Sequence, residues 1–372
     1  MNDNIAELSK VTIIIPTFNR YGYLERLLQY YSSFGLEINI IIADSSDTIQ
    51  EDIIDGFRNK MNINYQTFPS DIHHMTKFHK AAEQVETKYT IFCGDDDFIV
   101  PNGISESVKF LELNSDYSCA HGIYLSYQCV KESINDRLIW SRVYIEGSVS
   151  FDKAEQRLCE HIHDYKAPTF YAVHRTEKLK LFLRENNEIS EDYRFGEIIL
   201  TSLVAIYGSI KMLDSFYCVR EYNKNSSGQS GYTWQDIIVK KDFSEKYIKT
   251  KECLAKHLEL NSEMNFTEAL RIVDNILIKY IISRLGCRCI FKSRYWIVMY
   301  VKCLRMIKSI MKKTGIFNAS KNLVKKLSKS KERIDNMNEN KESLSKIISP
   351  HSPYYMDFKK IETIILESQC LN

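Results

Sequence analysis

The sequence predicts an α/β fold, in which helices cover both faces of a doubly wound, mostly parallel β-sheet, followed by a helical and basic C-terminal region. Apolar runs rich in β-branched and aromatic residues occupy positions 11–15, 38–43 and 89–93, as is typical of strands buried on both faces. Segments with helical spacing of apolar residues alternate with these runs. This alternation predicts parallel strands joined by crossover helices.

The first unit begins with the run 11–15, which Pro16 is expected to end because proline has no backbone N–H for the sheet. Apolar residues recur at helical spacing over 21–34, and Gly35 suits the end of that helix. The run 38–43 predicts the next strand. Strand, helix and strand in this order predict a parallel βαβ unit.

The same pattern repeats once more. We expect a short helix over 49–58, a strand over 63–68, a helix over 74–85 and a strand over 89–93. All four predicted strands are followed by polar segments, and the carboxyl ends of parallel strands lie along one edge of a doubly wound sheet. Ligands of open α/β sheets bind at that edge. The polar segments that predict the functional site are residues 17–20, 44–47, 69–73 and 95–97.

An acidic loop of three consecutive carboxylates, Asp95, Asp96 and Asp97, follows the strand 89–93 after Gly94. Like charges this close raise one another's pKa, so the loop requires a counter-charge. Carboxylate oxygens suit Mg²⁺ or Mn²⁺, and Mg²⁺ commonly completes its shell with water and phosphate oxygens. The loop therefore predicts a metal-bridged phosphate site, and the alternative is a solvated acidic turn.

Length and composition bound the class of protein. The 372 residues allow two or three domains, and the ordinary apolar and charged content excludes disordered, collagenous and disulfide-scaffold classes. The ten cysteines show no CxxC spacing, which favours a reduced, cytosolic protein. The polar N-terminus does not resemble a signal peptide, and no run of about 20 apolar residues predicts a membrane span.

Charge is distributed unevenly along the chain. Residues 276–331 carry fifteen Lys or Arg and no acid, which leaves −13 for the rest of a chain whose formal net charge is +2. The basic helix around 295–301 contains Trp and Tyr, which suits an anionic membrane interface. The alternative is a basic face that packs against the acidic half. Nucleic acid is disfavoured because no recognition motif accompanies the charge.

A polar segment rich in Gly and Ser at 223–231 is expected to be a linker or a loop that closes over a substrate. It suggests two parts, a catalytic domain over 1–222 and a mostly helical basic region over 223–372.

Three motifs, VTIIIPTFNRYGYLERLL, IIIADSS and YTIFCGDDDFIVPNGI, together resemble the nucleotide-binding half of family 2 glycosyltransferases of the GT-A fold. The resemblance covers residues 10–110 and continues more weakly to about 222. It implies that the nucleotide sugar is bound by the first strand's loop, by the acid after the second strand and by the acidic loop. The residues implied are Pro16, Thr17, Asn19, Arg20, Asp44 and Asp95, with Asp96 and Asp97 as ligands of a divalent cation.

One departure from the family pattern affects these roles. Many members have an aspartate where this chain has Gly94. This leaves open which of Asp95 and Asp96 contacts the metal and which the ribose. Lys77 follows near the start of the helix 74–85, where it either contacts phosphate or belongs to a solvated helix face.

A second cluster lies in the middle of the chain. His161 and His163 have a His-x-His spacing, but no further Cys or His completes a set of four zinc ligands. Ordinary partial burial is one interpretation. The other is an acceptor pocket near a predicted strand over 169–174, with the candidate residues His163, Tyr165, His174 and Arg175.

A Glu-Asp pair precedes the apolar helix predicted over 198–207. Ser190 is able to cap a helix there, and Glu191 and Asp192 in its first turn are favoured by the helix dipole. The resemblance instead implies a catalytic base, because family members carry a Glu-Asp pair in the corresponding place. Asp192 is the preferred base and Glu191 the alternative.

The resemblance implies a metal-dependent inverting glycosyltransferase that uses Mg²⁺ or Mn²⁺. It would move a sugar from a nucleotide-sugar donor to a hydroxyl of a saccharide or lipid-linked acceptor, in the assembly of a surface polysaccharide or other glycan. The expected location is cytoplasmic, with attachment to the inner face of the membrane left open. The alternatives are a nucleotidyltransferase, which should have a Gly-rich loop where residues 16–20 have none, and a non-catalytic scaffold, which Gly94 favours.

Overall fold

A computed structural model describes residues 6–35, 38–130, 137–143, 147–163, 168–189, 193–222, 234–285 and 344–368. Its central element is a sheet of nine strands within these ranges, in the order β3-β2-β1-β4-β8-β6-β9-β5, with β7 paired to β6. The strands are β1 (Val11–Thr17), β2 (Asn39–Asp44), β3 (Asn62–Thr67), β4 (Tyr89–Phe92), β5 (Phe98–Ile99), β6 (Tyr117–Val130), β7 (Arg137–Val143), β8 (Val173–Arg175) and β9 (Ser209–Glu221).

The parallel half of the sheet confirms the predicted α/β fold. Strands β3, β2, β1 and β4 are all parallel, and Thr17, Asp44 and Thr67 lie side by side at their carboxyl ends. The other half is mixed, because β8 is antiparallel to both β4 and β6, β6 and β9 are parallel, and β5 is antiparallel to β9. The predicted edge therefore exists, and all four polar segments follow strands that end along it.

Pro16 does not end the first strand, as the sequence had suggested, but lies within β1 opposite Ala43. The carbonyl of Ile14 accepts a hydrogen bond from Cys93 N at 3.0 Å, so the backbone of Ile14 faces β4. Pro16 is two residues farther on and faces the same side, where β4 has already ended at Phe92. Its missing N–H therefore removes no bond from the sheet.

Helices flank the sheet, and one of those bounded below is a 3₁₀-helix. They are α1 (Tyr21–Ser32), α2 (Glu51–Asp55), α3 (His74–Glu83), α4 (Pro101–Leu113), α5 (Ala154–His163), the 3₁₀-helix Pro168–Tyr171, α6 (Thr176–Ile189), α7 (Tyr193–Tyr207), α8 (Trp234–Ile237), α9 (Phe243–Leu260), α10 (Phe266–Arg284) and α11 (Tyr355–Glu367).

Two hydrophobic cores cover opposite faces of the sheet. Ile13 and Ile15 of β1 point into one core, whereas Ile14 points into the other, as the period of two in a strand requires. The first core contains side chains of α1, α4 and α11, and the second contains those of α3, α5, α6, α7, α9 and α10. Because these strands are buried on both faces, their sequences are continuous apolar runs rather than alternating apolar and polar residues.

The described parts of the C-terminal region lie on both faces of the sheet. Helices α9 and α10 share one core with α6 and α7, while Phe358 and Ile361 of α11 pack into the other core beside α1. Polar contacts fix α11 there: Asn102 Nδ2 donates to Asp357 Oδ2 at 2.8 Å, and Lys360 Nζ donates to the carbonyl of Ser33 at 2.9 Å. The boundary at residue 222 stays a prediction, but both cores contain residues from either side of it.

Several details differ from the sequence predictions. The strand expected over 169–174 is wrong, since the chain forms the 3₁₀-helix Pro168–Tyr171 and then the short β8. Cys129 is disulfide-bonded, so the expectation of a fully reduced protein is wrong at this residue. The segment 223–231 and most of the basic stretch 276–331 lie outside the described residues. No helix in the described part of the chain is long and apolar enough to cross a membrane.

Candidate active site

The carboxyl ends of β1 and β2 and the acidic loop after β4 meet at one point of the sheet edge. Ser45 N donates to the carbonyl of Thr17 at 3.2 Å, and Phe68 N donates to the carbonyl of Asp44 at 2.7 Å. The hydroxyl of Thr17 donates to Asp95 Oδ2 at 2.8 Å. Three loops that are far apart in the sequence are thus joined directly by hydrogen bonds.

Asp44 is fully buried and its carboxylate is held by three donors. Oδ2 accepts from the hydroxyls of Tyr21 at 2.5 Å and Tyr65 at 2.6 Å, and Oδ1 accepts from Ser46 N at 2.8 Å. Burial alone would raise the pKa of Asp44, but the hydrogen bonds from Ser46, Tyr21 and Tyr65 lower it below its ordinary value. Asp44 therefore stays ionised and links the end of β2 to Tyr21 and Tyr65.

Asn19 connects the loop after β1 to the loop after β2. It has a positive φ of 55°, a conformation that asparagine tolerates better than most residues. Its backbone N–H donates to Ser46 Oγ at 2.8 Å, and its side chain exchanges hydrogen bonds with Asp47 at 2.6 and 3.0 Å. These bonds hold the backbone that presents the next residue, Arg20.

Arg20 provides the first counter-charge of the acidic loop. Its two terminal nitrogens lie 2.8 Å from Asp95 Oδ1 and 2.8 Å from Asp96 Oδ2. The guanidinium also lies 4.2 Å from the ring centroid of Tyr23, so its plane is fixed by stacking. Arg20 is 30% exposed and Asp96 13% exposed, so both are accessible to solvent, whereas Asp95 is buried.

Asp97 has a different counter-charge, which the sequence analysis missed. Strand β5 pairs with the end of β9 and brings Arg220 and Glu221 next to the acidic loop. Arg220 Nε lies 3.2 Å from Asp97 Oδ2, and Glu221 N donates to Asp97 Oδ1 at 3.1 Å. A charged pair directly after an apolar strand was the available signal.

Burial raises the pKa of two of the three aspartates. The pKa of Asp95 is raised to about 7, mainly by burial and then by Asp96, against the lowering effect of Arg20. The pKa of Asp97 is also raised to about 7 by burial, although Arg220 lowers it. Two arginines are thus insufficient to offset the burial of these carboxylates, and an additional cation would favour their ionised forms.

The space beside Gly94 fits such a cation. A Cβ at position 94 would lie 2.9 Å from Asp96 Oδ1 and 3.2 Å from Asp97 Oδ2, so two carboxylate oxygens converge on a volume that any other residue would fill. Oxygen donors of this kind suit Mg²⁺ or Mn²⁺. The departure from the family pattern at Gly94 is therefore compatible with a divalent cation held by Asp96 and Asp97.

Lys77 is buried, so the interpretation of a solvated helix face is wrong. It reaches from α3 to the sheet edge, where Nζ donates to the carbonyl of Thr17 at 3.0 Å and to Ser45 Oγ at 2.8 Å. Burial lowers the pKa of Lys77 to about 8, and the nearby Asp44 and Asp95 act in the opposite direction. Lys77 thus links the loop after β1 to the loop after β2.

A buried ion pair supports the acidic loop from behind. Arg26 of α1 donates to Glu221 Oε2 at 2.9 Å, and each of these side chains is 2% exposed. The hydroxyl of Tyr127 donates to the same oxygen at 2.5 Å. Arg26 also donates to the carbonyl of Asp96 at 3.3 Å, which ties α1 and β9 to the loop.

The acceptor candidates that the structure describes do not join this cluster. Arg175 lies opposite Tyr89, at the end of β4 away from the acidic loop, and its side chain donates to the carbonyls of Tyr117, Leu111 and Asn114. His174 is 2% exposed and its Nε2 lies 2.7 Å from the carbonyl of Thr169. These contacts stabilise the fold, and the assignment of His174 and Arg175 to an acceptor pocket stays a prediction.

The remaining candidates are placed only in part. His163 is exposed at the end of α5. Tyr165, Glu191 and Asp192 lie outside the described residues, and α7 begins directly after them at Tyr193. The ring of Tyr193 lies 4.9 Å from that of His74, the first residue of α3. The start of α7 is therefore next to the helix from which Lys77 reaches the sheet edge.

Comparison with known proteins gives a family match for part of the chain. Residues 12–179 match the family model described as glycosyl transferase family 2. The match covers 168 of the 372 residues, and it supports the glycosyltransferase activity that the motifs in this part of the chain had suggested. No curated relative matches the chain.

Among solved structures, the chain is similar to S. aureus TarS. A crystal structure of TarS 1-349 has 17% identity and a TM-score of 0.45, with 73% of this chain and 71% of that chain covered. The same TarS segment in complex with UDP-GlcNAc has 17% identity and a TM-score of 0.46, with 73% and 72% covered. A further crystal structure of TarS has 16% identity and a TM-score of 0.45, and 43% of that chain is covered.

Proposed function

We propose that the protein is a metal-dependent inverting glycosyltransferase that transfers a sugar from a nucleotide-sugar donor to an acceptor hydroxyl at this sheet edge. The observation that carries the proposal is the junction of three loops around the acidic loop, with two of its carboxylates converging beside Gly94. Ligands of open α/β sheets bind beyond the carboxyl ends of the strands.

Donor binding would use the accessible rim of this cluster. The ends of β1 and β2 contain Pro16, Thr17 and Asp44. The loop that follows β1 contains the exposed Asn19 and the partly exposed Arg20. Because Asp44, Lys77 and Asp95 are buried, the donor meets Arg20 and Asp96 first in this conformation. Arg20 is thus suited to contact the diphosphate once another positive charge compensates Asp95 and Asp96.

A divalent cation would be held by Asp96 and Asp97. When bound, Mg²⁺ or Mn²⁺ would neutralise the diphosphate leaving group and so favour departure of the nucleotide. Asp95 would remain with Thr17 and Arg20, and we assign it to the ribose of the donor. Arg220 holds Asp97 in place for this role.

The protein itself would supply a general base, which takes the proton from the acceptor hydroxyl. We assign it to Asp192, with Glu191 as the alternative, because the start of α7 is adjacent to α3 at the site. A base must come within about 3 Å of the proton it accepts, directly or through one water. Attack opposite the leaving nucleotide in a single displacement inverts the anomeric configuration.

The proposal also covers the class of acceptor and the location of the enzyme in the cell. We infer a saccharide or lipid-linked acceptor, as in surface polysaccharide or glycan assembly, with the basic residues 276–331 directing the enzyme to an anionic membrane surface. The fifteen positive charges without an acid support this proposal. The first residues of this stretch belong to α10, which packs into the same core as α6 and α7.

Nucleotide release from a panel of UDP-, GDP- and CMP-linked sugars tests the function. A glycosyltransferase releases the nucleoside diphosphate, or the monophosphate from a CMP-sugar, and the amount should rise when a hydroxyl acceptor is added. Release of pyrophosphate from a nucleoside triphosphate would indicate a nucleotidyltransferase instead. No release with any donor, in the presence of Mg²⁺ or Mn²⁺, would indicate a scaffold.

A further inference from the structure

Three side chains that the proposed transfer does not use converge between α6 and α9. Glu185 Oε2 lies 3.4 Å from His257 Nε2 and 3.9 Å from Cys253 Sγ. One ligand atom from each residue lies within 4.8 Å of the other two. Carboxylate, thiol and imidazole are the three donor types that protein zinc sites use.

The distances agree with a tetrahedral site. Zinc bonds of about 2.3 Å to sulfur and about 2.0–2.2 Å to nitrogen and oxygen give ligand-to-ligand separations of roughly 3.4–3.6 Å at the tetrahedral angle. Two of the observed separations, 3.4 and 3.9 Å, differ from these by a few tenths of an ångström at most, and the separation between the Cys253 and His257 ligand atoms lies within 4.8 Å. Small side-chain adjustments therefore suffice to bring the three atoms to coordination distance.

The orientation of His257 is the second observation. The residue is 2% exposed, and its Nε2 is a buried atom without a hydrogen bond although it faces Glu185 at 3.4 Å. Its other nitrogen, Nδ1, lies 2.8 Å from the hydroxyl of Tyr207 on α7. Histidines that bind metals commonly have such a partner on the second nitrogen, which fixes the ring and the tautomer.

The three side chains come from two neighbouring helices. Cys253 and His257 are four residues apart on α9 and hence on the same face, while Glu185 comes from the neighbouring α6. Glu188 stands one turn farther along α6 and acts electrostatically on the Cys253 thiol, and the partly exposed Glu185 leaves the site open to water. A water or Glu188 would complete four ligands.

We propose that Glu185, Cys253 and His257 form a second metal site, which takes Zn²⁺ or a similar thiol-binding divalent ion and joins α6 to α9. The ion would replace the thiol proton, so that the Sγ–H bond breaks, an Sγ–metal bond forms and one proton is released to solvent. Burial and Glu185 raise the pKa of Cys253 to about 12, so the thiol keeps that proton until a metal binds. The acidic loop offers only oxygen donors and suits different ions.

Cobalt titration of the full chain after EDTA treatment tests the proposal. Co²⁺ should bind with one equivalent that gives the near-ultraviolet absorption of a cobalt thiolate, and Cys253→Ser should abolish it. Cys159→Ser, at an exposed free cysteine, and Asp96→Asn, in the acidic loop, are controls that should keep the absorption. Absence of the band in the wild type, or its persistence in Cys253→Ser, would overturn the proposal.

Two further variants separate coordination from ordinary packing. Tyr207→Phe removes the partner of His257 Nδ1 and should weaken Zn²⁺ binding by roughly 10- to 100-fold, as loss of such partners does in other sites. Glu185→Gln keeps the shape of a partly exposed residue and should also weaken it. Zn²⁺ should raise the thermal midpoint of the wild type and not of Glu185→Gln. Equal Zn²⁺ affinity in all three proteins would mean that the residues form only a Glu–His pair.

Discussion

The absence of a side chain at Gly94 lets the carboxylates of Asp96 and Asp97 lie close to the backbone of the acidic loop. An alanine Cβ there would lie 2.9 Å from Asp96 Oδ1, which is closer than side-chain carbons normally approach, so the carboxylate must move. We expect Gly94→Ala to weaken Mn²⁺ binding by roughly 10- to 100-fold, the range seen when residues that orient metal ligands are disturbed. Gly147→Ala is the matched control, because nothing lies within 4 Å of its Cβ. Calorimetric titration measures both, and equal affinities would contradict the cation site.

The raised pKa values of Asp95 and Asp97 predict a pH dependence. Both pKa values are about 7, well above those of an unfolded aspartate, so their contribution to stability is present below about pH 4 and is lost as the pH rises through 7. Of the two, Asp97 is a proposed cation ligand and must be ionised to bind, so Mn²⁺ affinity should rise across the same interval by up to about tenfold per pH unit.

Thermal melting at pH 5 to 8 with and without Mn²⁺ measures both effects. Without the ion, the midpoint should fall towards pH 8, and Mn²⁺ should restore it most at high pH. Asp97→Asn cannot ionise at this position and should show a flatter profile. A wild-type profile as flat as that of Asp97→Asn would remove the link between burial and cation binding.

Asp192 is the catalytic base that we propose. Replacing it with Asn keeps the shape and removes the base, so the donor should still bind while turnover falls by roughly 10² to 10⁴. Glu191→Gln is the matched control and should retain most activity. If the loss follows Glu191→Gln instead, the base is Glu191. A product that keeps the donor's anomeric configuration, measured by NMR coupling constants, would exclude single displacement.

At the scale of elements, the buried pair of Arg26 and Glu221 joins α1 to β9. Removing one partner leaves the other charge buried and unpaired, which typically costs about 3–5 kcal/mol, so Arg26→Met should lower the free energy of unfolding by that amount. Arg58→Met is the control, because Arg58 is 39% exposed and pairs with the exposed Glu51 and Asp55. Such surface pairs contribute about 0–1 kcal/mol. Urea denaturation gives both values, and similar losses would contradict this account.

The elements also show what the sequence alone was able to predict. The strands β1, β2 and β4 were predicted because burial on both faces leaves an unbroken apolar run, and the polar loops after them were placed correctly at one edge. Arg220 and Glu221 were missed because they reach the acidic loop through the pairing of β5 with β9, which no local pattern indicates. The burial of Lys77 likewise depends on where α3 crosses the sheet edge.

At the scale of the whole molecule, the C-terminal region supports the catalytic half from both faces. Helices α9 and α10 pack on one core and α11 on the other, and 58 residues, 286–343, connect them. Most of the fifteen positive charges of 276–331 lie in that connection. Most of the basic residues therefore lie, along the sequence, between two segments that each pack into a core beside the sheet.

This arrangement predicts salt-dependent binding to anionic membranes. Each Lys or Arg near an anionic surface contributes about 1 kcal/mol, and the screening length falls from about 10 Å at 0.1 M salt to about 3 Å at 1 M. The protein should therefore sediment with anionic vesicles at low salt, less at high salt, and little with neutral vesicles. The variant Lys325→Gln, Lys326→Gln, Lys329→Gln should bind less, whereas Lys60→Gln, Lys109→Gln, Lys249→Gln, at exposed positions elsewhere, should bind as the wild type does. Equal sedimentation with both vesicle types would favour packing of the basic residues against the acidic half of the chain.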